Sequence, residues 1–288
     1  MTRQPAIARR AEQLLGTAVV ATAPVAGGDV SIATKLRLGN GTTALMKTMT
    51  RTPPGFFEQE AWGLRWLAEA TADGGVPVPE VLAVEPDCLV LGWVETGRPT
   101  GDEAAALGRS LAITHATGAP SYGARRDGFI GRLPLPQRPT DTWAEFLAER
   151  RLRPFVRLAH DRGAIEPEDA AAVEAVAARL GELVPEEPPA RLHGDLWNGN
   201  VLWGADGRAA VIDPAAHGGH REVDLAMLSL FGLPHLQRLL DAYAEVAPLA
   251  DGWEDRVGLF QIFPLLVHAC LFGGGYGARA AAVARRYR

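Results

Sequence analysis

Lysine is nearly missing from this chain. Its 288 residues hold two, Lys35 and Lys47, against 27 arginines. Arginine is a wide planar fork and lysine a compact point charge on a flexible stem, so a lysine kept against that bias invites a chemical reason. Cysteine is equally scarce. Cys88 and Cys270 both sit in apolar runs, which fits buried free thiols and argues against a disulfide framework. Basic charge is not in excess either. The formal net charge is -5 and no basic stripe occurs, so nucleic acid is not an expected partner. A mildly acidic surface is compatible with amine-bearing substrates. The first residues carry Arg3, Arg9, Arg10 and Glu12 but not the apolar run of a secretory signal. The longest late apolar segment, 262–272, contains His268 and is too short to span a bilayer. No membrane partner and a cytoplasmic location are therefore expected. What the chain does have is 47% hydrophobic residues, ample for the cores of two lobes.

The most informative stretch is Leu192-His193-Gly194-Asp195-Leu196-Trp197-Asn198-Gly199-Asn200, followed by Val211-Ile212-Asp213-Pro214. Asn200 lies five residues after Asp195, and Asp213 thirteen after Asn200. This is the spacing of a kinase catalytic loop and its metal-binding aspartate. Phosphoryl transfer needs a carboxylate to orient and deprotonate a hydroxyl, an amide oxygen to help hold Mg2+, and a second carboxylate to bridge metal and nucleotide. Asp195, Asn200 and Asp213 supply these groups in that order. Apolar residues 201–202 and 209–212 read as two strands of a hairpin turning at Ala205-Asp206-Gly207, which brings Asn200 and Asp213 together. His193 reads as a scaffold residue of the loop. His217 and His220 form an H-x-x-H pair with no further ligand near by, and read as loop residues rather than a zinc site.

Upstream, residues 4–15 have helical spacing. A strand near Val25 leads through Gly27 and Gly28 into a second strand over 33–38. After Gly39-Asn40-Gly41 a third strand over 43–48 carries Lys47. Paired glycines let backbone approach a phosphate closely, and a lysine on the third strand can hold phosphates. Phe57, Ala61, Leu64 and Leu67 then mark one apolar helix face. Glu60 borders that stripe and is favoured over Glu58 as the partner of Lys47. Strands near 81–84 and 88–94 follow. The breaker-rich segment 95–101 marks a boundary between lobes 1–95 and 96–288, with adenine held by backbone at Gly92, Trp93 and Val94. Beyond it the chain reads as helical over 103–117, from a capping box at Thr142-x-x-Glu145, over 168–183, 222–231, 236–246 and 253–271. His115 reads as a packed residue.

Taken together, the chain resembles the fructosamine kinase family, within the protein-kinase-like and aminoglycoside-phosphotransferase-like group. Besides the catalytic loop, the resemblance rests on Phe57-Glu58-Gln59-Glu60-Ala61, Leu107-Gly108-Arg109-Ser110-Leu111-Ala112, Gly128-Phe129-Ile130-Gly131 and Arg150-Arg151-Leu152-Arg153-Pro154. Trp197 after Asp195-Leu196, and the segments Leu230-Phe231-Gly232 and Leu271-Phe272-Gly273, are more specific than the bare kinase pattern. The resemblance implies an α+β bilobal fold: a small antiparallel-sheet lobe with one key helix and a larger, mainly helical lobe. It implies an ATP- and Mg2+-dependent kinase acting on O3 of ketosamines, free or on glycated protein lysines, whose unstable phosphate product is shed. By the match, Asp195 is the base, Asn200 and Asp213 the metal ligands, Lys47 the phosphate anchor and Glu60 its partner. Asp224 supports the loop, and Trp197 is a candidate to pack against the sugar. Asp213 is followed by Pro-Ala rather than Phe-Gly, and the hairpin 26–36 lacks the cysteine some relatives use for redox control. Gly92 stands where the family often has Glu, and 133–139 departs from its pattern. An aminoglycoside or other small-molecule kinase, and a nucleotide-binding pseudokinase, remain alternatives at this stage.

Overall fold

The period-2 pattern of the early strands decides where Lys47 points. The computed structural model describes residues 3–26 and 30–288. A helix α1 (Arg3–Leu15) is followed by strands β1 (Val19–Val25), β2 (Ile32–Leu38) and β3 (Thr43–Thr48), helix α2 (Phe56–Ala68), and strands β4 (Val81–Glu85) and β5 (Cys88–Gly92). The five strands form one antiparallel sheet in the order β1-β2-β3-β5-β4, so β3 lies at its centre. Side chains alternate across a strand. Leu36, Leu38, Ala44, Met46, Cys88 and Val90 pack on the α1 face. Leu45, Leu89 and Leu91 pack on the opposite face, against Phe56, Phe57, Ala61 and Leu64 of α2. Lys47 has the parity of Leu45, so it points to the α2 side from the middle of the sheet.

The remaining chain is mainly helical. Helix α3 (Gly101–Ala116) is capped by Thr100, whose side chain accepts the Glu103 N–H. A short hairpin, β6 (Gly128–Ile130) and β7 (Leu133–Leu135), precedes α4 (Trp143–Phe146), a π-helical turn over Leu147–Leu152, and α5 (Arg153–Asp161). Then come α6 (Pro167–Ala177), the single turn α7 (Leu180–Leu183), and four three-residue strands: β8 (Ala190–Leu192), β9 (Val201–Trp203), β10 (Ala209–Val211) and β11 (His217–Gly219). Helices α8 (Glu222–Leu230), α9 (Leu236–Val246), α10 (Trp253–Phe272) and α11 (Tyr276–Ala284) complete the fold. It is the protein-kinase-like arrangement that the sequence leads one to expect.

Three details differ from the sequence reading. The helix expected over 168–183 is broken at Ala178-Arg179, between α6 and α7. Strands β8 and β11 pair with each other across 27 residues, which no local pattern announces. Helix α10 has the length and apolarity of a membrane span, unlike the shorter apolar stretch counted above. Its Leu259, Phe260, Ile262, Leu265 and Leu266 are instead buried in the largest core cluster, with residues of α4 to α6, α8 and α11. A second cluster joins α3, α8 and α9 to the β9–β10 hairpin through Leu107, Leu111, Val201, Val211 and Leu239.

Candidate active site

Lys47 meets two carboxylates from distant parts of the chain. Its Nζ lies 2.6 Å from Oε1 of Glu60 and 2.8 Å from Oδ1 of Asp213. Glu60 reaches it because Phe57, Glu60, Ala61 and Leu64 share the buried stripe of α2. Asp213 reaches it from the end of β10, where the backbone turns into the left-handed region at φ 55°. That conformation is uncommon outside glycine, although Asp tolerates it better than most residues. Val211 N–H donates to the Pro77 carbonyl and Ile212 N–H to that of Asn200, at 2.9 and 3.0 Å. The β9–β10 pairing of Val201 with Val211 therefore sets Asn200 next to Ile212 and Asp213.

The loop between β8 and β9 is held from behind. The buried Asp224 of α8 accepts the N–H of His193 at 2.8 Å and that of Gly194 at 2.9 Å. His115 Nε2 contacts the same carboxylate at 3.2 Å, and its Nδ1 is 2.8 Å from the Tyr243 hydroxyl. His193 Nδ1 accepts the Asp195 N–H at 3.2 Å, so its proton lies on Nε2, which donates to Ile212 O at 2.8 Å. Asn200 Nδ2 donates to the Asp195 carbonyl at 2.8 Å and lies 3.4 Å from its Oδ2. His115 and Tyr243 are the residues that sequence reasoning missed in this support. Each stands more than a hundred residues from its partner, and no local motif carries such a contact.

The charges follow from burial. Burial opposes the Lys47 ammonium, but the charges of Glu60 and Asp213 overcome it and raise its pKa. Burial pushes the Glu60 carboxyl up, against the pull of Lys47. Asp195 is raised to about 7, first by burial and then by the charge of Asp213. Asp224 goes the other way: burial opposes its charge, but the His115 hydrogen bond and the Gly194 N–H hold its pKa below the usual range. Burial lowers His193, which keeps the ring neutral.

The other expected positions are distributed around this centre. Gly92 N–H donates to Glu80 O and Trp93 N–H to Thr43 O, whereas the Val94 N–H has no partner among the described residues. The Trp93 indole donates to Glu95 and lies under the Lys35 ammonium, 4.0 Å from the ring centre. Gly27 and Gly28 lie outside the described residues. Trp197 is exposed, with Phe231 edge-on to it. His217 is not a loop residue as the sequence suggested, whereas His220 does lie in the connection between β11 and α8. Both are buried; His217 opens β11 and stacks on Phe146, and His220 stacks on Phe260. Their aromatic neighbours come from α4 and α10, which local sequence does not reveal.

The donor set suits a hard cation. Asn200 and Asp213 offer oxygen, and the Asn200 Oδ1 has no partner among the described residues because the amide nitrogen faces Asp195. The Asp213 side chain stays 41% accessible. No group of three or more His, Cys, Asp or Glu side chains able to hold a metal occurs among the described residues. Two oxygen-bearing side chains completed by phosphate and water oxygens is the mode Mg2+ favours.

Comparison with known proteins identifies the family. The profile of a family described as fructosamine kinase matches residues 3–287. A Thermus thermophilus protein assigned as a ketoamine kinase is 38% identical over 255 residues, covering 88% of each chain. The chloroplastic protein-ribulosamine 3-kinase of Arabidopsis thaliana is 31% identical over 279 residues, covering 94% of this chain and 83% of its own. A crystal structure from Thermobifida fusca, assigned as a fructosamine-3-kinase, superposes with a TM-score of 0.92 at 47% identity, covering 97% of both chains.

Proposed function

This chain belongs to the fructosamine kinase family, and we propose that it is an ATP-dependent ketosamine 3-kinase that phosphorylates O3 of ribulosamines, erythrulosamines or fructosamines. The observation that carries the reading is Lys47, bonded at once to Glu60 and Asp213 beside a loop that presents Asp195 and Asn200. The nucleotide lies between the sheet lobe, 1–95, and the helical lobe, 96–288, with its adenine on the free Val94 N–H. Gly92 and Trp93 precede that amide in the chain.

In the reaction the substrate O3 attacks the γ-phosphorus of ATP. The bond from that phosphorus to the bridging oxygen breaks, and its electron pair leaves with ADP. Asp195 accepts the O3 proton; its raised pKa suits a group that must take a proton near neutrality. Lys47 neutralises phosphate charge, and Glu60 fixes its position. Asn200 and Asp213 would hold Mg2+, which supplies neutralisation of the charge shared between β- and γ-phosphates. Asp224 and His193 keep Asp195 in place. Trp197 offers an exposed ring for the sugar.

The test is Mg-ATP consumption against fructosyl-, ribulosyl- and erythrulosyl-lysine beside a panel of aminoglycosides. Turnover of ketosamines, abolished in Asp195→Asn, is the expected result. Turnover of aminoglycosides alone would move the chain to that substrate class. ATP binding without any turnover would make it a pseudokinase.

A further inference from the structure

Two segments singled out in the sequence, Leu230-Phe231-Gly232 and Leu271-Phe272-Gly273, take no part in the phosphate chemistry. The structure gives both the same local form. Helix α8 stops at Leu230 and α10 at Phe272, and each Phe is followed by a glycine at positive φ, 79° at Gly232 and 66° at Gly273. Glycine enters that region without a Cβ clash, so each helix ends at its Leu-Phe pair. The two phenylalanines then meet on one side chain. The His268 ring lies 4.7 Å from Phe231 and 5.5 Å from Phe272, with Tyr276 at 5.2 Å. The row continues to Trp197, 6.0 Å from Phe231, and so begins two residues from Asp195.

This row is open to water. Trp62, Trp197, Phe231 and Phe272 are the exposed Trp and Phe side chains among the described residues, and three of the four belong to it. A contiguous uncovered aromatic patch marks a binding surface, where scattered apolar residues do not. Leu271, the residue before Phe272, would lie 3.1 Å from a Cβ on Gly131. Two helix C-termini, with partly negative carbonyl ends, finish at the row. His268 Nδ1 donates to Pro264 O at 2.8 Å, which leaves Nε2 as an acceptor. Burial lowers the pKa of this histidine, so it brings no positive charge at neutral pH. An aromatic, uncharged surface over helix C-termini suits a carbon chain that carries an ammonium.

We propose that Phe231, His268, Phe272 and Tyr276 form the subsite for the nitrogen substituent of the ketosamine, with Trp197 left to the sugar. This subsite rests on the ketosamine reading above. The amine nitrogen of a ketosamine is on C1 and the reacting oxygen on C3, so a sugar seated at Asp195 has one side free for its substituent. The row extends from Trp197 on that loop and is not closed over. It takes long alkyl arms such as the stem of a lysine, and it ranks substrates by the length of that arm.

The experiment compares kcat/KM for ribulosylated methylamine, butylamine and hexylamine in the wild type, Phe272→Ala and Phe272→Leu. Each methylene laid on the row is worth about two- to fourfold. Five extra methylenes give an expected wild-type ratio of hexyl to methyl substrate of about thirtyfold or more. It collapses toward one in Phe272→Ala and partly returns in Phe272→Leu. A wild-type ratio near one, or a ratio unchanged in Phe272→Ala, overturns the subsite while leaving the kinase reading intact. Failure of every ketosamine to turn over removes the reading and the subsite together.

Discussion

Two buried ion clusters form around Asp224 and Lys47, and they are stabilised in opposite ways. Around Asp224 a single carboxylate is satisfied by hydrogen bonds: two backbone N–H groups and His115. Its charge is favoured where it stands, and none of its partners needs to move. Around Lys47 charges are held by other charges, and burial works against each of the two fully enclosed groups. One of its carboxylates, on Asp213, remains partly open to water. The first cluster is a fixed support. The second, on the proposed reading, is a set of bonds that incoming phosphate oxygens share. The difference separates what holds the loop from what handles the ligand, and substitutions should divide along the same line.

The largest effect belongs to the ligand side. Asp195→Asn should lower kcat by about 10²–10⁴ with an unchanged melting temperature; steady-state kinetics and a thermal melt check this together. Next, Lys47→Ala should lower kcat/KM for ATP by about 10²–10³, as loss of a preorganised charge-stabilising donor does. It also leaves Glu60 buried without its cation, so that carboxyl should take up a proton. Unaltered KM for ATP with unaltered kcat would place Lys47 outside the site.

On the support side the order reverses, and stability falls first. Asp224→Ala strands two buried N–H groups and His115, at a cost on the order of 3 kcal/mol by the penalty for unpaired buried groups. Denaturant unfolding measures it, and an unchanged midpoint would show that the loop is held by other contacts. The buried histidines give a pH test. Burial, aided by the charge of Arg151, lowers His217 to about 3, and burial lowers His220 to about 4 despite Glu187. The unfolded chain binds these protons below about pH 6.5 while the folded chain does not. Their contribution is therefore complete above that value and is lost as pH falls toward 4 and 3. Each should account for about 2 kcal/mol of lost stability between pH 7 and 5. A His217→Gln variant should show a flatter stability profile over that window.

How much of this was legible in the sequence depends on range. The Asp195, Asn200 and Asp213 spacing, the stripe that holds Glu60 and the lysine on the third strand are local patterns, and each could be read directly. The family-specific Trp197 and Leu-Phe-Gly segments were visible as words, but the meeting of Phe231 and Phe272 at His268 was not. His115 and Tyr243 stayed hidden because their bonds cross more than a hundred residues. The strand position of His217 and the burial of both His217 and His220 stayed hidden because the rings that cover them come from distant helices. The pairing of β8 with β11 joins strands of three residues, too short to show alternation.

The smallest effect tests the comparison from outside both clusters. Thr142 is exposed, in extended backbone at φ -128°, and its side chain accepts the Glu145 N–H at 3.2 Å. It caps a helix that touches neither Lys47 nor Asp224. Thr142→Ala removes one acceptor from a helix start that water can reach, and leaves no cavity. The expected loss is about 1 kcal/mol, or roughly 2–4 °C in melting temperature for a chain of this size. kcat and KM for ATP should stay at wild-type values, because an exposed cap transmits nothing to a loop held by Asp224. A matching fall in kcat would mean that the capped helix positions the site. The division between fixed support and ligand-facing charge would then have to extend beyond α8 and α3.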